Sequence, residues 1–292
     1  MAEPTTAPDA FGAGPFERET AVRRRPEQQD PGEARFEATI ADGWKAGRGP
    51  HGGYLAAMLL RALTEALDDA SRAPRSLTIH YARQPEPGPV EIATKIERAG
   101  RSLSTMSARM EQDGRLLALV LAAFSVPWTG PEIRDLPLPA VEPAGPEREP
   151  SRAHEHGAPQ FTRHLVMEPR LSGPPLTGER RAMEVGSWIG LAEARPLDAP
   201  ALAFFSDALI PSPFMATGEP AAAPTIDLTV HFRVSLPRTP QPDPHELCFV
   251  QVSSKLIQEG FFEEDGVIWA ADGTVLAQSR QLAILLPETK GQ

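Results

Sequence analysis

Of the 292 residues, one is cysteine and four are lysine, and no run of about 20 apolar residues occurs that could cross a membrane as a helix. The lone Cys248 cannot close an internal disulfide; in the apolar run Leu247-Cys248-Phe249-Val250 it reads as a small buried hydrophobe. The first thirty residues contain no apolar core of a secretory signal, so the expected location is the cytoplasm, with no membrane partner. Basic charge is scarce as well. The net charge is −10, which excludes nucleic acid as a general partner, because phosphate binding needs a clustered basic surface. An anionic ligand would have to be met by local arginines, among which Arg48, Arg75, Arg83 and Arg233 are candidates, against an unfavourable overall field. The chain has no G-x-S-x-G nucleophile elbow and no glycine-rich phosphate loop. His154-Glu155-His156 lacks a third ligand at metal-binding spacing, so no metal and no cofactor are expected.

What the chain does contain is ordinary globular material: 41% hydrophobic and 23% charged residues. Residues 1–33 show no hydrophobic period and are expected to form a disordered N-terminal tail. Residues 129–159, with seven prolines, read as a semi-extended linker between domains at 34–128 and 160–292. Those domains resemble each other. Leu77-Thr78-Ile79-His80-Tyr81 is matched by Leu228-Thr229-Val230-His231-Phe232, 151 positions later, and Asp113-Gly114 by Asp272-Gly273, 159 positions later. The difference fits in the longer loop 235–245. The ordered set points to tandem duplication.

In each half a short opening strand region and a helix precede three or four long strands. Helices are expected over Gly52–Leu67 and Ala199–Ile210. Strands are expected at about 75–83, 89–98, 102–111 and 115–127, then at about 224–234, 246–257, 261–270 and 275–286. The two Asp-Gly pairs have the chemistry of hairpin turns. The first helix is apolar nearly all round and should be buried by a curved sheet. The expected fold is therefore α+β, a double hotdog: two tandem antiparallel sheets, each wrapping a long central helix. Such folds associate readily through sheet edges or faces, so a homo-oligomer is compatible with this architecture.

Gly49-Pro50-His51-Gly52-Gly53-Tyr54 at the start of the first helix is the first candidate site. Glycines there let a ligand approach bare N–H groups that suit a polarised carbonyl oxygen, although tight packing of the helix against the sheet would explain them equally. Taken with LTIHYARQPEPGPVEI, SDAL, TIDLTVHFR and DGTVLAQSRQLAILL, this stretch resembles the two-domain acyl-CoA thioesterases, over about 35–128 and 180–287. The resemblance implies hydrolysis of acyl-CoA to free acid and CoA, within fatty-acid or lipid metabolism. It implies that Asp207, Thr225 and Gln281 position the hydrolytic water. His51, Gly52, Gly53 and Tyr54, with Met58 and Phe204 along the acyl chain, would then contact substrate. The residues alone leave other roles open: Asp207 ending a helix, Thr225 as an ordinary strand residue, Gln281 as an exposed strand polar. By the repeat offsets Thr225 corresponds to Pro74 and Gln281 to Ala122, so a single polar set is expected. Two alternatives on the same fold are a non-catalytic acyl or aromatic ligand-binding protein and a hydratase or dehydratase using His51 or His231.

Overall fold

The computed structural model describes residues 14–26, 30–47, 49–171, 173–217, 221–238 and 243–287. The chain opens with a short helix α1 (Pro15–Glu19) and two strands, β1 (Arg23–Arg24) and β2 (Glu33–Ile40). Helix α2 (Gly52–Leu67) follows, and then a meander of β3 (Ala73–Tyr81), β4 (Gly88–Ala99), β5 (Leu103–Gln112) and β6 (Arg115–Ser125). The second half begins with β7 (Leu165–Leu171) and β8 (Glu184–Leu191), which lead into helix α3 (Ala199–Phe205). It ends with β9 (Thr225–Phe232), β10 (Cys248–Ser253), β11 (Ile257–Gln258), β12 (Phe261–Trp269) and β13 (Val275–Ile284).

The duplication read from the sequence is visible in the strand order. In the first half the neighbours run β2-β4-β5-β6-β3; in the second, β8-β10-β12-β13-β9. The halves meet where β3 pairs antiparallel with β9, placing Thr78 opposite Thr229, the two positions related by the repeat. Their hydroxyls are 3.1 Å apart. A pseudo-twofold axis therefore passes between these threonines, and the local repeat becomes a near-symmetric whole.

Two expectations need correction. The two tandem sheets are one continuous antiparallel sheet, because β3 and β9 complete each other's free edge and remove two unpaired rows of backbone groups. The two helices are also unequal. Helix α2 has its expected length and is buried on all sides from Gly53 to Leu60. Helix α3 stops at Phe205 instead of Ile210. The Ser206 hydroxyl turns back to the Ala203 carbonyl at 2.8 Å, and Ile210 precedes Pro211, which disfavours helical backbone there.

The N-terminal stretch also departs from the tail expected over 1–33. Residues 1–13 and 27–29 lie outside the described residues, but 14–26 carry α1 and β1 and bury Phe16 and Thr20. Phe16 is fully buried, with its ring centroid 5.8 Å from Trp44 and 5.5 Å from Phe204. One aromatic side chain anchors a segment whose average composition is polar. The proline-rich stretch has no sheet or α-helix, yet it is docked as a strap on the outer face of the second half. Leu138, Val141 and Ala144 cover Trp188, Phe249 and Trp269. The Trp188 indole N–H donates to the Glu142 carbonyl at 2.9 Å, and that of Trp269 to Leu136 at 3.1 Å. Among the described residues no helix is long and apolar enough to cross a membrane.

Candidate active site

His51 is the N-cap of α2. Its Nδ1 accepts the Tyr54 backbone N–H at 3.2 Å, which requires a lone pair there and leaves the proton on Nε2. That Nε2–H donates to the Asp207 backbone carbonyl at 2.7 Å. Burial holds the His51 pKa below the usual imidazole range despite the nearby Asp207 carboxylate. The ring is therefore a neutral clamp, and its 3.4 Å approach to Asp207 Oδ2 is not a salt bridge.

Asp207 lies just beyond α3 and faces the start of α2. Its Oδ2 accepts the Gly53 N–H at 2.8 Å. Burial raises its pKa, opposed by His51 and by the Gly53 N–H. The side chain nevertheless retains 15% exposure, and its Oδ1 takes no hydrogen bond among the described residues. The glycines have a steric cause. A Cβ at Gly53 would stand 2.6 Å from the Phe204 carbonyl oxygen, and one at Gly52 would stand 2.8 Å from Asp207 Oδ2. Tyr81 closes this corner, its hydroxyl donating to the Gly52 carbonyl at 2.9 Å; burial, and then the Asp207 charge, push its pKa well up.

The expectation of several bare N–H groups at this helix start is thus corrected. Gly53 gives its N–H to Asp207 and Tyr54 gives its own to His51, leaving Gly52 N–H without a partner among the described residues.

Thr225 and Gln281 come together across β9 and β13. A bulge makes this possible: Thr225 is opposite Ala283 and Asp227 opposite Leu282, so Ile226 is an extra residue. The slip reverses the alternation of side chains and turns Thr225 to the buried face that also carries Leu228 and Gln281. Thr225 Oγ1 donates to Gln281 Oε1 at 2.9 Å. The repeat places the same irregularity between Pro74 and Ser76, where the polar pair is replaced by Pro74 and Ala122.

Glu264 on β12 was missed in the sequence. It lies directly opposite Gln281 and is only 3% exposed. Gln281 Nε2 donates to Glu264 Oε2 at 2.8 Å, and the Ser212 backbone N–H donates to Oε1 at 2.6 Å. Burial pushes its pKa up, these donors pull it down, and the Asp207 charge raises it further. A signal was present: in Phe262-Glu263-Glu264-Asp265-Gly266 the buried parity is 262, 264 and 266, which puts a charge on the inner face.

The structure thus brings Thr225 and Gln281 into direct contact and puts Asp207 against Gly52 and Gly53. Asp207 bonds to neither Thr225 nor Gln281. The two groups are joined by Glu264, which holds Ser212, a few residues downstream of Asp207 on the same loop. Tyr54, Met58 and Phe204 are fully buried. The Tyr54 hydroxyl accepts from Ala41 N–H and donates to Glu19 O; burial raises its pKa to about 12. Phe204 contacts the rings of Trp44, His51 and Phe161. Of the arginines considered for an anionic ligand, Arg48 lies outside the described residues. Arg75, Arg83 and Arg233 bond to Ser235, the Leu116 carbonyl and Gln278 respectively. A separate surface groove of about 640 Å³ is lined by Arg18, Val22, Glu37, Pro89 and Gln112, away from Asp207. Among the described residues no three His, Cys, Asp or Glu side chains are grouped to hold a metal ion.

Comparison with known proteins bears on this arrangement. The chain is 26% identical to the uncharacterized protein Rv0499 of Mycobacterium tuberculosis, over 91% of this chain and 97% of that one. Its fold is similar to that of a conserved hot dog-fold protein of unknown function from Alicyclobacillus acidocaldarius, with TM-score 0.71 and 24% identity over 94% of this chain and 98% of the other. It is also similar to the fold of an acyl-CoA thioesterase II from Mycobacterium marinum, with TM-score 0.67 and 17% identity over 95% and 99%. These likenesses establish a hotdog-type α+β fold. The sequence pattern of the acyl-CoA thioesterase N-terminal domain matches residues 40–126 and that of the C-terminal domain residues 139–285, the second beginning within the strap. With most of its length accounted for by these two patterns, the chain belongs to the acyl-CoA thioesterase family.

Proposed function

We propose that this protein hydrolyses acyl-CoA thioesters with a water molecule held by Asp207, Thr225 and Gln281, at the seam between two fused hotdog halves. The observation that carries the reading is the Asp207 carboxylate. It is held against the start of α2 by one oxygen, while the other has no protein donor among the described residues. A carboxylate placed at such burial cost is stable only when bonded or used. With Oδ2 occupied, Oδ1 takes a proton from water. The water oxygen then attacks the thioester carbonyl carbon, the C–S bond breaks, and the departing thiolate of CoA takes the proton back from Asp207 Oδ1, which restores the carboxylate. The Gly52 N–H supports the developing oxyanion.

The hydrogen bonds already made restrict the other roles. Thr225 has given its hydrogen to Gln281, so it can only accept from the water. Gln281 uses one amide hydrogen on Glu264 and keeps a second for the water oxygen. Three fixed groups would thus orient one nucleophile, and its entropy loss is met in advance. A hydratase reading is less well supported. Both His51 nitrogens are engaged, one by Tyr54 N–H and one by the Asp207 carbonyl, so the ring lacks a free site for acid catalysis.

Release of free thiol from a panel of acyl-CoAs, by the wild type and by Asp207→Asn, tests the proposal. Loss of at least roughly 100-fold in kcat is expected for the variant, which retains shape but not basicity. Equal release by both proteins would remove Asp207 from the mechanism. No release by either, with binding of acyl-CoA retained, would establish a non-catalytic ligand-binding protein.

A further inference from the structure

We propose that Glu264 is a positioning residue for the reaction, acting by setting which end of the Gln281 amide faces Thr225 and which faces the water. The inference rests on the hydrolytic reading above but concerns a residue outside the Asp207, Thr225 and Gln281 set.

A glutamine amide has two faces of nearly equal shape and opposite polarity, so its orientation must be imposed by neighbours. In this protein one neighbour, Thr225, could either donate or accept. The other is a carboxylate, which in its ionised form only accepts. Gln281 Nε2 is 2.8 Å from Glu264 Oε2, and that contact points Oε1 at the Thr225 hydroxyl, 2.9 Å away. The Thr225 hydrogen is thereby committed, its lone pairs are freed, and one Gln281 hydrogen remains for the nucleophile. Polarity passes along a chain from Glu264 to Gln281 to Thr225.

Glu264 is itself fixed by a group that cannot turn over, the Ser212 backbone N–H at 2.6 Å. It sits on the central sheet, 3% exposed, with no cationic partner among the described residues. The first half offers an internal contrast. Opposite Ala122, the counterpart of Gln281, the neighbouring strand carries fully buried Met106, so where no amide needs orienting no carboxylate is present. A merely structural need at this strand position is evidently met by an apolar side chain.

The substitution Glu264→Gln isolates the effect. The fixed Ser212 N–H must face the oxygen of the introduced amide, so its NH2 faces Gln281. Two NH2 groups cannot share that contact, and Gln281 must turn over, giving its oxygen to position 264 and an N–H to Thr225. Expected is a fall in kcat of roughly 10- to 100-fold with KM changed far less, since the nucleophile and not the substrate is disordered. In a Gln281→Ala background the same substitution should cost less than about 3-fold, because the group it orients is gone. Equal fold losses in the two backgrounds, or unaltered kcat in Glu264→Gln alone, would overturn the inference.

If Glu264→Gln fails to fold, the double substitution Glu264→Gln with Gln281→Glu serves instead. It satisfies Ser212, Thr225 and the cross-strand contact but leaves no N–H for the water. The thermal midpoint should recover while turnover stays low; recovery of both would overturn the inference. Full activity of Gln281→Ala by itself would instead defeat the underlying hydrolytic reading, so the two failures are distinguishable.

Discussion

Substitution of Gly53 by alanine should both destabilise the fold and disable Asp207. The added Cβ would lie 2.6 Å from the Phe204 carbonyl oxygen, 2.9 Å from His51 Cε1 and 3.1 Å from Asp207 Cβ. The nearest obstacle is backbone on α3, so no rotamer change relieves it, and α2 and α3 must separate by several tenths of an ångström. Overpacking of this kind costs about 1–3 kcal/mol. Loss of the Gly53 N–H to Asp207 adds about 1.5 kcal/mol, and the better helix propensity of alanine returns up to about 1 kcal/mol. The balance is about 2.5 kcal/mol of destabilisation, which for a chain of this size is roughly 5–10 °C in Tm. Differential scanning calorimetry measures it, with thiol release assayed in parallel. Gly52→Ala is the control, because its Cβ would meet the Asp207 side chain at 2.8 Å and no backbone. Its Tm should move by less than half as much while kcat falls about tenfold. A Gly53→Ala protein with wild-type Tm and turnover would refute the claim that the glycine pair exists to let the two helices and the carboxylate meet.

Phe16→Ala should cost about 3–5 kcal/mol in urea unfolding, as expected for a fully buried ring, whereas a loosely held tail would register almost nothing. Trp188→Phe removes the donor to the Glu142 carbonyl and should loosen the strap at a cost of about 1 kcal/mol, read as faster proteolysis within 129–152 with thiol release retained. Unchanged proteolysis would mean the strap is held by its apolar contacts alone. Burial raises the Asp207 pKa above its ordinary 3.8, so in that window the folded chain binds more protons than the unfolded one. Its contribution to stability is therefore fully present below about 3.8 and is lost as pH rises through the folded value. Turnover should rise over the same window as the base ionises. The difference in unfolding free energy between wild type and Asp207→Asn, measured against pH, should carry this slope; a flat difference would contradict it.

The eight strands of the two meanders, the first helix, the hairpin turns and the duplication were legible in the chain because each depends on local chemistry: alternation of apolar residues, an apolar stretch ahead of each meander, Asp-Gly pairs, and a motif recurring after 151 positions; β2, β7 and β8 had no such bounds. Asp207, Thr225 and Gln281 follow from the family resemblance; the residues around them leave other roles open. What sequence could not supply was everything decided by segments distant along the chain. The joining of the halves into one sheet depends on β3 finding β9. The position of Asp207 beyond the end of α3 is fixed by His51, which takes its carbonyl from 156 residues away. The inward turn of Thr225 depends on a single extra residue in a strand, and the role of Glu264 on a cross-strand register. Phe16 could be recognised as core only from the cavity between Trp44 and Phe204 that receives it. Periodicity along a chain reports which face of an element is buried; which groups meet there is settled by pairing and packing between elements, where one residue of slip inverts a side chain and a few tenths of an ångström decide whether a glycine is required.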